Sequence, residues 1–448
     1  MLRSLSREGR LRLLVLGGLA LAGAPAGSAR AVGELYPEPI AGMSESYRIE
    51  TRRCPRPADP RRNMMDCRLD WFDAALSAVT EFWASTRQEL QLAGVTPRAS
   101  LYGSFFAGTG DPVPGPMWGG TLTLSFALDI GTIAGGPKGL GFYVGGVGAW
   151  SKEPWPFPVS VNYLRTNVWL NELYLQQVLL DGTLTLAAGR LQPAMTFAFL
   201  PVMLNHVGPL VMSGWLTFDE PPYPPGPASQ WGLQGVWTLA HQFQVAAGVY
   251  GNNPSSARGD LHGFAWQLWE GNRGVYVMAQ GSWLPGAKPG TMELPGLYAI
   301  GGWYDGNDFP DLGTGERSRG SYGFYLQGQQ MLLRQGGAGS ARGLTVWGQL
   351  TWTPRLEVNL TPLGGIAGLS WHGFADARPK DTVSVAGYAG RYSPSLSGSR
   401  GLEGVELTYD LVVTGALSIL ADLQGIFNVN GIAGANAFIG GLQVALSL

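Results

Sequence analysis

From residue 98 to the C-terminus, apolar and polar positions alternate in short segments separated by turns. In residues 121 to 130, TLTLSFALDI, one parity holds Leu122, Leu124, Phe126, Leu128 and Ile130, and the other holds Thr121, Thr123, Ser125, Ala127 and Asp129. The same split recurs at 344 to 352, with Leu344, Val346, Leu350 and Trp352 against Thr345, Trp347, Gln349 and Thr351. It recurs again at 405 to 410, with Val405, Leu407 and Tyr409 against Glu406, Thr408 and Asp410. A period of two predicts β-strands with one apolar and one wet face. Seventeen such segments begin near 98, 118, 141, 166, 183, 231, 242, 263, 274, 295, 320, 343, 363, 383, 402, 416 and 437. Strands of about ten residues with this dyad pattern are the signature of a transmembrane barrel, which normally has an even strand count. One segment is therefore surplus, and the weak one near 263 or a neighbour is the expected error. Short connections such as Asp181-Gly182, a hairpin dipeptide, and Thr414-Gly415 are placed at the periplasmic end, and the longer 305 to 319 and 391 to 401 outside.

Two regions break the alternation. Residues 191 to 230 hold eight prolines and a run of apolar residues that includes Phe197, Phe199, Leu200, Val202, Met203 and Leu204. A loop of that length in a compact fold has a task, and an inward-folded loop narrowing the channel is the expectation, with an outer lid as the other reading. Before the strands, Leu69, Phe72, Leu76, Val79, Trp83 and Leu90 recur at helical spacing behind Asp66 as a cap. They predict one amphipathic helix ending near Gly94 that docks at the barrel mouth, plugs it or joins other copies.

At the N-terminus, Arg3, Arg7, Arg10 and Arg12 precede the apolar run from Leu13 to Ala22, and Ala29-Arg30-Ala31 offers a cleavage site. Residues 1 to 31 read as a secretory signal peptide. Residues 32 to 97 then form a periplasmic segment, and 98 to 448 the barrel. Cys54 and Cys67 flank a Pro- and Arg-rich stretch. A disulfide in an oxidising compartment, contributing about 3 kcal/mol, suits them better than a metal site, because no histidine is near.

Composition supports an exported barrel. Charged residues are 14% of the chain, about half the share of ~25% usual in soluble proteins. There are 67 glycines, 16 Trp, 16 Tyr and 17 Phe. No run of 18 or more apolar residues suggests a membrane helix. A net charge of -2 suggests no nucleic-acid partner. Enzymatic constellations are not found: His206, His241, His262 and His372 are isolated, and Ser370, in GLSWHG, lacks the second glycine of a nucleophile elbow. No cofactor or metal is expected. Lysine is confined to Lys138, Lys152, Lys288 and Lys380, too few for an anion channel.

A wet, weakly charged lumen passes neutral polar solutes. Sugars ask for hydrogen-bonding side chains and aromatic faces, and the wet parities offer Glu172, Tyr174 and Gln176; Tyr325, Gln327 and Gln329; Trp347 and Gln349; Glu406 and Asp410; Asp422 and Gln424. Each also has a plainer reading as a solvated lumen residue.

The chain resembles the carbohydrate-selective porins of the OprB family. The stretches LNELYLQQVLLDGTLTLAAGRLQ (170 to 192), LYAIGGWYDGNDF (297 to 309), RGSYGFYLQGQQML (319 to 332), RGLTVWGQLTW (342 to 352) and LEGVELTYDLVVTGALSILADLQGIFN (402 to 428) carry the likeness in the family's order. It implies an all-β, antiparallel transmembrane barrel of about sixteen strands in the outer membrane. It also implies inward loops, a frequent homotrimer, and facilitated diffusion of glucose and related mono- or oligosaccharides. By position it assigns Glu172 and Arg190 to the pore. Parity disagrees for the second: Arg190 shares a side with Leu184 and Leu186, which aims it at lipid unless a bulge near Gly189 turns it or it lies beyond the membrane edge. The C-terminal Leu448 stands where such barrels usually end in an aromatic residue, and the Cys54 to Cys67 segment has no counterpart in the family core. A general porin with little solute preference, or a structural or adhesive barrel with a blocked pore, are the alternatives.

Overall fold

The computed structural model describes residues 83, 85–110, 113, 115–151, 166–208, 211, 229–240, 242–251, 253, 258–267, 274–286, 292–396 and 401–447. Cys54, Cys67, the signal peptide and the start of the expected helix lie outside the described residues. The described part of that helix, α1, runs over 85–92 and turns at Ala93 and Gly94, where the sequence pattern placed its end.

The alternating segments form sixteen antiparallel strands: β1 (Val95–Thr109), β2 (Met117–Asp129), β3 (Leu140–Ser151), β4 (Asn167–Leu179), β5 (Leu184–Leu191), β6 (Gln230–Leu239), β7 (Phe243–Gly251), β8 (Val275–Trp283), β9 (Gly296–Pro310), β10 (Arg317–Arg334), β11 (Gly343–Trp352), β12 (Leu363–His372), β13 (Thr382–Arg391), β14 (Leu402–Val412), β15 (Leu417–Phe427) and β16 (Ala437–Ser447). Each pairs with its sequence neighbours, and β1 pairs with β16 from Ser100↔Ser447 to Thr109↔Phe438, closing the barrel. Closure leaves no sheet edge in lipid, the condition for a β-structure to span a bilayer.

The surplus segment is the one near 263, which forms a turn between β7 and β8 rather than a strand. Two boundaries also differ from the expected pattern. β9 and β10 extend toward each other, so that only 311 to 316 connects them. Ile130 leaves the β2 alternation and opens a short helix, α2 (Ile130–Ala134), whose first turn Asp129 caps by accepting from the Thr132 backbone N–H. An aspartate before a helical turn satisfies a donor that the strand no longer uses.

Parity sorts the two faces as expected. Leu175, Leu233, Ile300, Leu326, Leu350, Val405 and Leu423 are exposed on the outer face. Exposed aromatics fringe it at both ends. Trp237, Phe243, Trp283 and Tyr298 lie near the short turns, and Phe105, Trp118, Tyr304, Trp352 and Phe438 near the long loops. An apolar belt between two aromatic girdles is the outer surface of a membrane barrel.

Candidate functional site

The inner wall begins with a fault in β4. Along β3 and β4 the register slips by one between Gly145↔Glu172 and Gly146↔Leu170, which leaves Asn171 as the extra residue of a bulge. A bulge lets two successive side chains point the same way. Trp169 and Asn171 are buried inside above it, and Glu172, Tyr174 and Gln176 face inward below it. Tyr174 stacks on Tyr143 with ring centroids 4.7 Å apart and an interplanar angle of 7°. The Gln176 amide donates to the Tyr143 hydroxyl at 3.2 Å. The three residues that the sequence placed on the wet face of β4 are therefore on it.

Arg190 is not. The pairing from Leu173↔Arg190 to Leu179↔Leu184 is unbroken, so no bulge turns it inward. It stays on the outer face with Leu186 and Ala188, beside Trp231 of β6. Its guanidinium is 1% exposed nonetheless, because the connection between β7 and β8 folds across that part of the wall. Arg190 Nη1 donates to the Ala265 carbonyl at 2.8 Å, and Nη2 and Nε donate to the Ser229 carbonyl and hydroxyl at 2.7 and 3.1 Å. A charge on the outer face is tolerated when each of its nitrogens is hydrogen-bonded. Parity was right and the pore assignment by position was wrong.

The loop between β5 and β6 enters the barrel. Phe197, Leu200, Met203 and His206 are almost fully buried, and polar groups of the wall hold the loop backbone. Ala198 donates its N–H to Gln280 Oε1 on β8 and accepts from Gln349 Nε2 on β11. The Phe199 carbonyl accepts from Gln327 Nε2 on β10, and the Val202 N–H donates to Gln329 Oε1. At the far side, the Thr408 hydroxyl donates to the Asn205 carbonyl at 2.7 Å, and Glu406 Oε1 accepts from the N–H groups of Val207 and Gly208 at 2.8 and 2.9 Å. The other Glu406 oxygen lies 3.5 Å from His206 Nδ1, and His206 leans on Trp347 at 5.6 Å between ring centroids. These buried backbone groups would otherwise be orphans, so the wall supplies what a helix or sheet would have given them.

That arrangement corrects the solute-path assignment for much of the wall. Tyr325, Gln327, Trp347, Gln349, Glu406 and Asp422 point inward as expected, but all are at most 4% exposed. Tyr325 donates to Gln280 Oε1, Gln327 and Gln349 bond each other as well as the loop, and Gln424 donates to Asp422. They form the surface against which the loop is fastened. Asp410 is half-buried on the inner parity of β14, opposite Leu420.

Residues that the sequence reading did not single out complete the inner face. Arg98 of β1, Ser125 of β2, Gly145 of β3 and Glu172 of β4 are linked partner to partner across four strands and share the inner side. The Arg98 charge acts on Glu172 across this row. Alternation puts Arg98 and Ser125 on the wet parity, but only strand pairing shows that they are level with Glu172. Gln280 and Asn171 were missed because amides on a wet face look alike whatever they bond. Among the described residues, no group of three or more His, Cys, Asp or Glu is placed to hold a metal.

Comparison with known proteins agrees with the architecture. The model of the family described as carbohydrate-selective porin, OprB family, matches residues 157–448. Porin B of Pseudomonas aeruginosa is 28% identical over 242 residues, which are 49% of this chain and 50% of that protein, so the match spans about half of that relative. Among solved structures, the high-pH structure of Pseudomonas putida OprB superposes with a TM-score of 0.71 at 22% identity, covering 82% of this chain and 97% of that one. The low-pH structure of the same protein gives 0.54 at 19% identity, over 82% and 96%. These superpositions share the closed barrel.

Proposed function

The chain belongs to the OprB family of carbohydrate-selective porins and is a barrel of the outer membrane, and on that premise we propose that it is a passive channel through which sugars such as glucose diffuse. The observation that carries this reading is the inward loop. Bonds to β8, β10, β11 and β14 hold it against the wall, so it narrows the lumen and brings a passing solute within reach of the wall. A narrowed path with hydroxyls, amides, carboxylates and a stacked tyrosine pair suits a neutral polyol better than a small ion, since hydroxyls exchange hydrogen bonds with such groups at little desolvation cost. The lumen needs no cofactor for diffusion down a gradient.

The test is current through the purified protein in planar bilayers, with glucose and longer oligosaccharides added to one side. Saturable reduction of the current by sugar is expected. Conductance with no sugar effect would leave a general porin, and no conductance would leave a structural barrel. The family likeness also supports a homotrimer, for which the protein mass of the detergent-extracted particle is the check.

A further inference from the structure

Glu406 fastens the end of the constricting loop with one oxygen only. Its Oε1 accepts the N–H groups of Val207 and Gly208, whereas Oε2 is buried and accepts no hydrogen bond from the described residues. Asp422 on β15 repeats the pattern: its Oδ2 accepts from Gln424 Nε2 at 2.7 Å, and its Oδ1 is buried without a partner among the described residues. Strand pairing sets the two acids side by side. Glu406 pairs with Gln424 and Thr408 with Asp422, so the carboxyl groups are diagonal neighbours on the inner face, within hydrogen-bonding reach of each other. Both residues are at most 2% exposed. A buried acceptor without a donor requires an explanation, and two on touching acids require the same one. The other groups around the pair do not supply it. His206, on the loop, keeps Nδ1 3.5 Å from Glu406 Oε2, and neither of its ring nitrogens is hydrogen-bonded. Tyr388 of β13 faces both acids and bonds neither of the two bare oxygens. β16 places Gly441 opposite Asp422, and Asp410, the next acid along the inner side of β14, lies opposite Leu420 beyond Thr408.

Two carboxylates in contact and away from water repel each other, whereas one proton between them gives Asp422 Oδ1 a hydrogen to donate and Glu406 Oε2 a bond to accept. Both bare oxygens are satisfied at once. We propose that Glu406 and Asp422 share a single proton, and that Asp422 is the positioning residue that holds the Glu406 carboxylate against the constricting loop. The negative charge then stays with Glu406, whose Oε1 takes the two loop N–H groups in charge-assisted bonds. The pair titrates as a unit. As pH rises the shared proton passes to solvent, a second negative charge appears beside the first, and the carboxyl groups move apart. The Val207–Gly208 end of the loop loses its fixed acceptor, so the constriction loosens in alkaline solution. The proposal takes the channel reading as its setting and adds to it what keeps the constriction in place.

The experiment reads the purified full-length protein in two ways. Infrared spectra of wild type near neutral pH should contain the carbonyl band of an un-ionised carboxyl group, fading as pH is raised to about 10. That band should be missing from Asp422→Asn and from Glu406→Gln. A wild-type spectrum without it, or with a band that both variants retain, overturns the shared proton, and the wild-type titration stands even if a variant fails to assemble. In planar bilayers, the open-channel noise of wild type should grow several-fold between about pH 7 and about pH 10. Asp422→Asn, whose amide donates to Glu406 at every pH, should stay quiet over that span, and His206→Gln should keep the wild-type rise. Noise that rises equally in Asp422→Asn, or that no longer rises in His206→Gln, overturns the role given to Asp422. A protein that never conducts overturns the channel reading instead, and the infrared band then decides the shared proton by itself.

Discussion

Two arcs of the same wall treat their polar side chains in opposite ways. On β8 to β14 the inward amides and carboxylates, Gln280, Gln327, Gln349 and Glu406, are spent on the backbone of the constricting loop. On β1 to β4 one inward row runs from Arg98 through Ser125 and Gly145 to Glu172, with a charged group at each end and small residues between. In the channel we propose, the first arc sets the width of the path and the second faces what travels along it. A polar residue inside a barrel therefore has two possible correspondents, the solute or the protein's own chain, and burial tells them apart.

The sharpest way to break this contrast is Glu406→Ala. It removes the acceptor for two buried N–H groups and the partner of His206, a cost on the order of 3 kcal/mol, so the end of the loop should detach. Single-channel recordings should show larger, noisier openings than wild type; an unchanged current would mean that the loop is fastened elsewhere. Next in size is Arg190→Met, which strands the Ser229 carbonyl beneath the outer connection and leaves the Ala265 carbonyl with only the Trp231 indole N–H. It should lower thermal stability by about 2 kcal/mol while leaving the half-blocking sugar concentration as it was. A changed sugar block would return Arg190 to the lumen. Gln349→Leu deletes one loop bond and one wall bond, worth about 1 kcal/mol each, and should raise current noise by less than Glu406→Ala does. If its effect equals that of Glu406→Ala, the anchors act as one unit.

The smallest effect lies away from both arcs, in the turn before β13. Asp381 is buried there, which by itself would raise its pKa, but bonds from Arg378, the Tyr409 hydroxyl and the Val412 N–H hold it below the ordinary aspartate value. A depressed folded-state pKa stabilises above the unfolded value of about 3.9 and is lost as pH falls through the folded one. Since Arg378 is partly exposed, the contribution is ~1 kcal/mol at most. Wild type should melt slightly above Asp381→Asn at neutral pH and converge with it below about pH 4. A gap that persists in acid would assign the difference to packing.

Much of the fold was legible because a strand between lipid and water has to alternate, and β2, β11 and β14 do so clearly. The segment near 263 misled because its residues touch the sheet without joining it: one carbonyl, that of His262, meets the N–H of Leu170. The loop after β5 was legible as an exception, through its prolines and its missing period. What it would cover was not, since the glutamines at 327 and 349 have the same sequence pattern whether they meet a sugar or a loop carbonyl. The bulge at Asn171 was hidden because an inserted residue changes parity without changing composition. For Arg190, the period of two pointed outward and likeness of position pointed inward, and the strand pairing sided with the period.

The contact between His262 and β4 has a bearing on how the barrel comes together. β5 stops at Leu191 while β4 continues upward to Asn167, so among the described residues the end of β4 meets only Gln192 on that side until the connection after β7 arrives, where the His262 ring nitrogen reaches Val168, 94 residues earlier in the chain. Until then the growing sheet presents an open row of backbone groups, the feature that invites wrong partners. The staple is supplied from far along the chain, so a protein zipped up from its first strands passes through an unsealed stage that one closed from its last strands avoids.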